Sequence, residues 1–164
     1  MMSEAEHFKL GMRRLAAGVS IITTSANGEL HGMAATSVCS VSAEPPALLV
    51  CVNRNATCHD VIRRTGFFCV NLLRDSDDEL ARRFSTPAGR ERRFHDRDWQ
   101  SLSTGAPALV GALASFDAEV IEAVEAQTHT VFIGRVKATA LWKDDIVPLV
   151  YLNGQFDSLS GKRA

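Results

Sequence analysis

The sequence lacks the glycine patterns that cradle nucleotides in the commonest nucleotide-binding folds. None of its 11 glycines stands two positions from another, which excludes the G-x-G-x-x-G turn, and no G-x-x-x-x-G-K-[ST] motif occurs. The four cysteines form no C-x-x-C pair, so we predict no metal site. A nucleotide bound by this chain is therefore held in some other way.

The sequence also has no large excess of charge of one sign and no long apolar run. Lys and Arg number 18 against 19 Asp and Glu, and acids balance the arginines between Arg74 and Asp98, which argues against a nucleic-acid partner. No stretch approaches the roughly 18 apolar residues of a membrane span, and the charged N-terminal residues do not resemble a signal peptide. With cysteines that we interpret as reduced and mostly buried, we expect a cytoplasmic protein with no membrane partner.

Short apolar runs separated by turn residues indicate one mainly β domain over residues 1–164. The spacing of Phe8, Met12 and Leu15 predicts a short amphipathic helix, and Asn27-Gly28 predicts a type I′ hairpin turn. The predicted strands are 19–24, 47–52, 67–72, 113–124, 130–138 and 149–156, with a helix start capped by Thr57, a helix over 77–84 and a long loop over 85–107. The continuous apolar run 47–52 predicts a strand covered on both faces.

This order of strands, with only short helices, does not follow a βαβ rhythm. It predicts a closed or nearly closed antiparallel barrel with peripheral helices, because closure leaves no exposed edges.

Small hydroxyl-bearing residues dominate the segment Thr36–Ser42. Their short side chains would let a flat ring lie against the backbone, while hydroxyl and peptide groups address its polar edge. The alternative is a strand with one polar face.

Asn53–Thr57 follows a buried strand and leads into a helix start. Unpaired N–H groups there favour a phosphate, and the alternative is an ordinary capped turn. His129, at a strand entry, could meet a ligand or be a surface residue. Arg92 and Arg93 could reach an anion or belong to a solvated, ion-paired face. The residues alone thus predict a small barrel with a nucleotide-type pocket and name no reaction.

Taken in order, the segments resemble the short-chain flavin reductase family, whose members serve two-component flavin monooxygenases such as 4-hydroxyphenylacetate hydroxylase. The likeness runs from about residue 8 to 158 and includes Gly32-Met33-Ala34-Ala35-Thr36-Ser37 and Leu80-Ala81-Arg82-Arg83-Phe84. The matching stretches are 15–24, 32–42, 45–62, 68–73, 80–84, 105–107, 129, 134–136 and 149–151. Two positions depart from the family pattern: Ala56 replaces a common serine, and Ala126-Gln127-Thr128-His129 replaces Gly-Asp-His.

The resemblance implies a closed antiparallel split β-barrel of the FMN-binding, Greek-key type with short peripheral helices. It implies an NAD(P)H-dependent flavin reductase that uses FMN or FAD, forms a homodimer and supplies a separate flavin-dependent oxygenase. His129 is implied to lie on the nicotinamide side, as the catalytic candidate. The implied cofactor-binding residues are Ala35, Thr36, Ser37, Val38, Ser40, Val41, Ser42, Asn53, Arg54, Asn55, Ala56, Thr57, Phe84, Ser85, His129 and Tyr151.

Two other functions fit the same fold. A non-catalytic flavin carrier or sensor would bind flavin without oxidising NADH. An oxidase of the pyridoxamine-phosphate type would need a cluster of basic residues for a phosphorylated substrate, which we do not find in the sequence.

Overall fold

The computed structural model describes residues 1–159 and consists mainly of β-strands with a few short helices. The helices are α1 (Glu4–Met12), α2 (His59–Thr65) and α3 (Asp78–Ser85). The strands are β1 (Ala17–Gly18), β2 (Ser20–Ala26), β3 (Glu29–Ala35), β4 (Val38–Ala43), β5 (Pro46–Asn53), β6 (Phe67–Leu72), β7 (Trp99–Ser101), β8 (Pro107–Leu109), β9 (Ala114–Ala126), β10 (His129–Leu141), β11 (Leu149–Leu152) and β12 (Gln155–Ser158). No described helix is long and apolar enough to cross a membrane.

One seven-stranded antiparallel sheet carries the fold, in the order β3-β2-β6-β9-β10-β5-β4. Its edge strands β3 and β4 are joined by only Thr36 and Ser37. Because three residue steps span at most about 11 Å, the two edges must approach each other at this junction, and the sheet curls strongly. Among residues 1–159 no β3–β4 ladder forms, so the sheet stays open along this seam and a closed barrel is not confirmed.

Two hairpin turns rely on residues that tolerate positive φ. Asn27 and Gly28 have φ of 53° and 80°, which confirms the predicted type I′ turn. The predicted strand 149–156 is wrong as a single element, because Asn153 and Gly154 also adopt positive φ and divide it into β11 and β12. The predicted 85–107 loop contains a 3₁₀ turn at Arg90–Arg92 and the short strand β7.

The core lies inside the curled sheet, with a second cluster beneath α3. Val50, Phe68 and Phe132 are fully buried in the first cluster, and Leu80 and Phe84 of α3 are buried in the second. β5 is buried on alternate residues, so within the single chain only one of its faces is covered, and the prediction of cover on both faces does not hold there. Its outward residues Leu49 and Cys51 are only half-buried.

Three further predictions need correction. α1 forms, but it buries none of its residues, and Phe8 is 64% exposed. Thr57 does not cap α2, which begins after Cys58 without a side-chain cap. Cys39 is exposed, whereas Cys58 and Cys69 are buried; burial raises the pKa of the Cys58 thiol to about 12, so this thiol is unreactive at neutral pH.

Candidate functional site

Edge strand β3 runs past three adjoining cavities. Cavity A, of about 740 Å³, includes Ala34 and Ala35 in its wall. Cavity B, of about 320 Å³, includes the β3 residues 32–34. Cavity C, of about 190 Å³, includes the β3 residues 30–32. Neighbouring cavities therefore share part of one strand, and the three follow one another along it.

The peptide groups of β3 alternate between its partner β2 and its free edge. In an antiparallel ladder every second residue points both its N–H and its C=O away from the partner strand. The Gly32 carbonyl points to the free edge, where it accepts a hydrogen bond from Arg93 at 2.9 Å. By this alternation Leu30 and Ala34 also present peptide groups to that edge, so main-chain donors and acceptors face the cavities.

Cavity A lies between the end of β3, the end of α3 and the β11–β12 hairpin. Thr36, Ser85 and Tyr151 are part of its wall. The Tyr151 ring packs against Phe156 at 5.6 Å, and the Arg82 guanidinium lies 4.9 Å from the Phe156 ring centre. This mixture of apolar surface with a few polar groups is typical of a pocket for a flat organic ligand.

Cavity B lies between β3, the segment that follows β5 and the segment that follows α3. The post-β5 segment turns tightly, since the Asn53 side chain accepts from the Asn55 N–H at 2.8 Å and the Asn53 carbonyl accepts from the Ala56 N–H at 2.9 Å. Thr57, which is exposed, also borders the cavity. Amide and hydroxyl groups thus line one side of cavity B.

Arg93 supplies a buried cation to cavities B and C. Only 6% of the residue is exposed, and its guanidinium donates to the carbonyls of Gly32, Arg83 and Thr86 at 2.9, 3.1 and 2.6 Å. These partners are all neutral, and no carboxylate pairs with Arg93 among the described ion pairs. Burial, followed by the charge of Arg90, lowers the pKa of Arg93. A buried cation without a counter-ion beside a cavity favours an anionic ligand there.

Phe84 is held tightly against β3. A Cβ atom at Gly32 would lie 2.8 Å from Phe84 Cε1 and 2.9 Å from the Ile22 carbonyl oxygen. Phe84 also packs against Phe94 and Trp99, with ring centres 5.2 and 5.9 Å away. Only glycine at position 32 therefore lets α3 bring the Ser85–Pro87 segment to the cavities.

The predicted site residues separate into two groups. Nine of them line cavity A or B: Ala35, Thr36, Tyr151, Asn53, Asn55, Ala56, Thr57, Phe84 and Ser85. Seven line none of the three cavities: Ser37, Val38, Ser40, Val41, Ser42, Arg54 and His129.

The residues outside the cavities lie at or near β4, directly after β5, and at the start of β10. Val38 packs on the core, while Ser40–Ser42 continue along the exposed edge strand β4. His129 is half-buried at the start of β10, paired with Asn53 of β5, and its Nδ1 lies 2.8 Å from Thr128 Oγ1. Arg54 forms an ion pair with Glu125, which also pairs with Arg63 at 2.6 Å.

Sequence reasoning missed several cavity residues. Gly32 and Arg90 carried no pattern of their own, and a solvated, ion-paired face was one of the two interpretations of Arg93. That interpretation is wrong, because Arg93 is buried. Its hydrogen-bond partners lie 61, 10 and 7 residues away in sequence, so they become visible only in the fold.

Comparison with known proteins gives a consistent result. The model of the flavin reductase like domain family matches residues 12–160. FMN reductase (NADH) RutF 2 of Methylorubrum extorquens is 42% identical over 83% of this chain and 79% of its own length. The 4-hydroxyphenylacetate 3-monooxygenase reductase component of Salmonella dublin is 37% identical over 92% of this chain and 89% of its own.

Solved structures show the same relationship. The NADH:FAD oxidoreductase SgcE6 of Streptomyces globisporus, in complex with NAD and FAD fragments, superimposes with a TM-score of 0.89 at 26% identity over 98% of this chain and 96% of that one. BorF, the flavin reductase component of a bacterial two-component tryptophan halogenase, gives 0.86 at 31% identity over 97% and 100%. The resemblance predicted from the ordered segments is confirmed: the chain belongs to the flavin reductase like domain family.

Proposed function

We propose that this chain reduces FMN or FAD with NAD(P)H and passes the reduced flavin to a separate flavin-dependent oxygenase. Relatives over most of the chain are named FMN reductase (NADH) or reductase components of a monooxygenase and a halogenase. The observation that carries the proposal is the convergence of a flat-ligand cavity and an uncompensated buried cation, Arg93, on one edge strand.

We propose that the flavin ring occupies cavity A and its phosphate cavity B. The ring would lie along Ala34–Thr36, under Ser85 and beside Tyr151, which border cavity A. The phosphate would meet Asn55, Thr57 and Arg93, which border cavity B. Contacts from Ser37, Val38, Ser40, Val41, Ser42 and Arg54 stay predictions.

The protein's part in the reaction is binding, orientation and exclusion of water. The bound cofactors supply the chemistry, a hydride transfer from nicotinamide C4 to flavin N5. β3 would give main-chain hydrogen bonds to the ring edge, and the segment after Phe84 would cover it. Because proximity of the two rings is the main catalytic contribution, no side chain is required as an obligatory acid.

The fold offers a physical reason for this placement. We infer that residues 1–164 form one split-barrel domain, in which the open β3–β4 seam admits the flavin. A flavin there would occupy the gap where the ladder is interrupted, close to the Thr36–Ser37 junction. Because the reaction draws on NAD(P)H, we propose a cytoplasmic location.

Steady-state NADH oxidation tests the function directly. We expect NADH consumption that depends on added FMN or FAD, followed as loss of NADH absorbance. Flavin binding without NADH oxidation would instead favour a carrier or sensor, and absence of both would overturn the proposal.

His129 offers a test of the nicotinamide side. We expect His129→Ala to raise the KM for NADH by about 2- to 10-fold, the equivalent of one ordinary hydrogen bond, and to leave the Kd for FMN within twofold. Stopped-flow and equilibrium titration separate the two effects. An unchanged KM and kcat would contradict this role.

A second copy of the chain is the proposed partner of the outer face of the sheet. The face includes the exposed acid Glu122, opposite Ile133, and six apolar or thiol-bearing residues that are exposed or half-buried in the single chain: Cys39, Leu49, Cys51, Val124, Val131 and Ile133. Cross-strand pairing places them side by side, with Leu49 opposite Cys39 and Ile133, and Val131 opposite Cys51 and Val124. An apolar sheet face of this kind suits an isologous dimer.

Val124→Asp is expected to convert a dimer into a monomer, because it places a charge on an apolar interface. Sedimentation measures the change, and thiol labelling of Cys39 should become faster in the variant. Ile146→Asp is the matched control, since Ile146 is exposed elsewhere, between β10 and β11. A monomeric wild type would contradict the proposal.

A further inference from the structure

His59, the first residue of α2, is a buried histidine that lines none of the three cavities. Only 3% of the residue is exposed, and its ring packs against Phe132, with ring centres 5.6 Å apart. His59 Nδ1 lies 2.7 Å from Asp60 Oδ1, and Nε2 lies 2.8 Å from Thr130 Oγ1. Both ring nitrogens therefore have a partner, one on α2 and one on β10.

The chemistry of the two partners fixes the direction of each hydrogen bond. A carboxylate only accepts hydrogen bonds, so His59 Nδ1 carries a proton and donates to Asp60. In the neutral ring Nε2 is then an acceptor, and the Thr130 hydroxyl donates to it. Asp60 thus holds the His59 ring in the tautomer that can accept from Thr130.

The hydrogen bond between His59 and Thr130 joins two segments that carry proposed cofactor contacts. On one side, the Ala56 carbonyl accepts from the His59 N–H at 3.0 Å, and Ala56 belongs to the turn that borders cavity B. On the other side, Thr130 directly follows His129 in β10, and successive side chains of a strand point to opposite faces. The buried Thr130 side chain therefore holds the strand from the core while the His129 side chain lies on the other face.

The other contacts between these segments lie at their surface. The β5–β10 ladder ends at Asn53, and one further backbone hydrogen bond runs from the Arg54 N–H to the Thr128 carbonyl at 3.0 Å. Glu125 also pairs with the side chains of Arg54 and Arg63. Exposed ion pairs of this kind add little to a fixed geometry, because water and salt screen them. The buried hydrogen bond from threonine to histidine is not screened in this way.

We propose that His59 is a positioning residue that acts through Thr130 and fixes the phosphate-binding turn relative to His129. The proposal rests on the proposed function, in which Asn55 and Thr57 meet the flavin phosphate and His129 meets the nicotinamide. His59 itself touches neither cofactor. Loss of its hydrogen bond to Thr130 should weaken phosphate binding and NADH use together, and should leave the ring site in cavity A unchanged.

Thr130→Val tests the proposal, because it removes the hydroxyl and keeps the branched shape of the side chain. We expect this variant to raise the Kd for FMN and the KM for NADH by about 2- to 10-fold each, the scale of one ordinary hydrogen bond. The Kd for riboflavin, which has no phosphate, should stay within twofold. Thr130→Ser is the matched control, since it keeps the hydroxyl and should hold both constants within twofold of the wild type. Flavin fluorescence titration gives the Kd values, and steady-state NADH oxidation gives the KM.

Further variants separate positioning from a loss of folding. The Asp60 side chain is 87% exposed, so Asp60→Ala disturbs no core packing and should raise the same two constants by about 2- to 5-fold, within the range of one hydrogen bond. Arg64→Ala, at an exposed position of the same helix, should change neither constant. Adding Thr130→Val to His129→Ala should raise the KM for NADH no further, because both changes act on the same contact.

Unchanged constants in Thr130→Val, or equal weakening of riboflavin and FMN, would overturn the positioning role and leave the proposed function standing. A further rise of the KM for NADH in the double variant would also overturn it, because Thr130 would then act independently of His129. If Thr130→Val does not fold, unchanged constants in Asp60→Ala reject the role. A wild type that binds no flavin, or that binds FMN without oxidising NADH, contradicts the proposed function and the positioning role with it.

Discussion

Replacing Arg93 with methionine is expected to weaken FMN and FAD binding by roughly 10- to 150-fold. A hydrogen bond to a charged group contributes about 1.5–3 kcal/mol, and each 1.4 kcal/mol is about tenfold in Kd. The guanidinium has five N–H donors and spends three on backbone carbonyls, so two remain for a phosphate. Isothermal titration with each flavin measures the loss.

Riboflavin separates this effect from a structural one. It carries no phosphate, so its Kd should change little in the same variant. Arg92→Met is the matched control, because Arg92 is an exposed neighbour with no described side-chain partner, and Arg93→Lys should retain part of the affinity because it keeps the charge. Equal weakening of riboflavin and FMN would assign Arg93 to holding the Ser85–Pro87 segment alone.

Asn71→Leu is expected to lower the free energy of unfolding by about 3–5 kcal/mol. The fully buried amide donates to the carbonyl of Ile21 and accepts from the Leu109 N–H and the Ser115 hydroxyl, at 3.2, 2.8 and 2.8 Å. An apolar side chain removes the acceptor of the Leu109 N–H and of the Ser115 hydroxyl and the side-chain donor to the Ile21 carbonyl, and a buried group left without its partner costs about 1–3 kcal/mol. Urea unfolding followed by circular dichroism gives the value.

Two further variants give reference values for that change in the free energy of unfolding. Ser115→Ala removes one donor to Asn71 and also the acceptor of the Trp142 indole N–H at 3.0 Å, and should cost about 1–2 kcal/mol. Gln100→Leu, on the exposed side of the β7–β8 hairpin, should stay within about 0.5 kcal/mol. An equally small change in the free energy of unfolding of Asn71→Leu would mean that the hydrogen bonds of Asn71 contribute little to stability.

Local sequence patterns predicted the strands well because their physical cause is local. Positive φ at Asn27-Gly28 is a property of neighbouring residues, and the predicted turn agrees with the fold. The N-terminal stripe shows the limit: periodicity indicates an amphipathic helix, but α1 leaves that stripe exposed. What covers such a face depends on other elements or other chains.

Site residues that are neighbours in the sequence could be predicted, whereas site residues that only the fold brings together could not. Asn53–Thr57 was predicted as a short segment, and four of its five residues line cavity B, whereas of the predicted segment Thr36–Ser42 only Thr36 lines a cavity. Arg93 required a strand, a helix end and a loop to converge. The neighbouring residues in the sequence do not distinguish an arginine that forms an exposed salt bridge from one that is buried beside a cavity.

The unpaired edge of β3 has a consequence for substitution tolerance. Main-chain N–H and C=O groups are the same whatever side chain the residue carries, so hydrogen bonds made through them persist under mutation. Systematic replacement of Ala34 and Ala35, which border cavity A, should therefore alter which ring sizes and ring substituents fit, while the pattern of polar contacts to the ligand is retained. This strand is accordingly the place to redesign the protein for flavin analogues with bulkier or smaller rings.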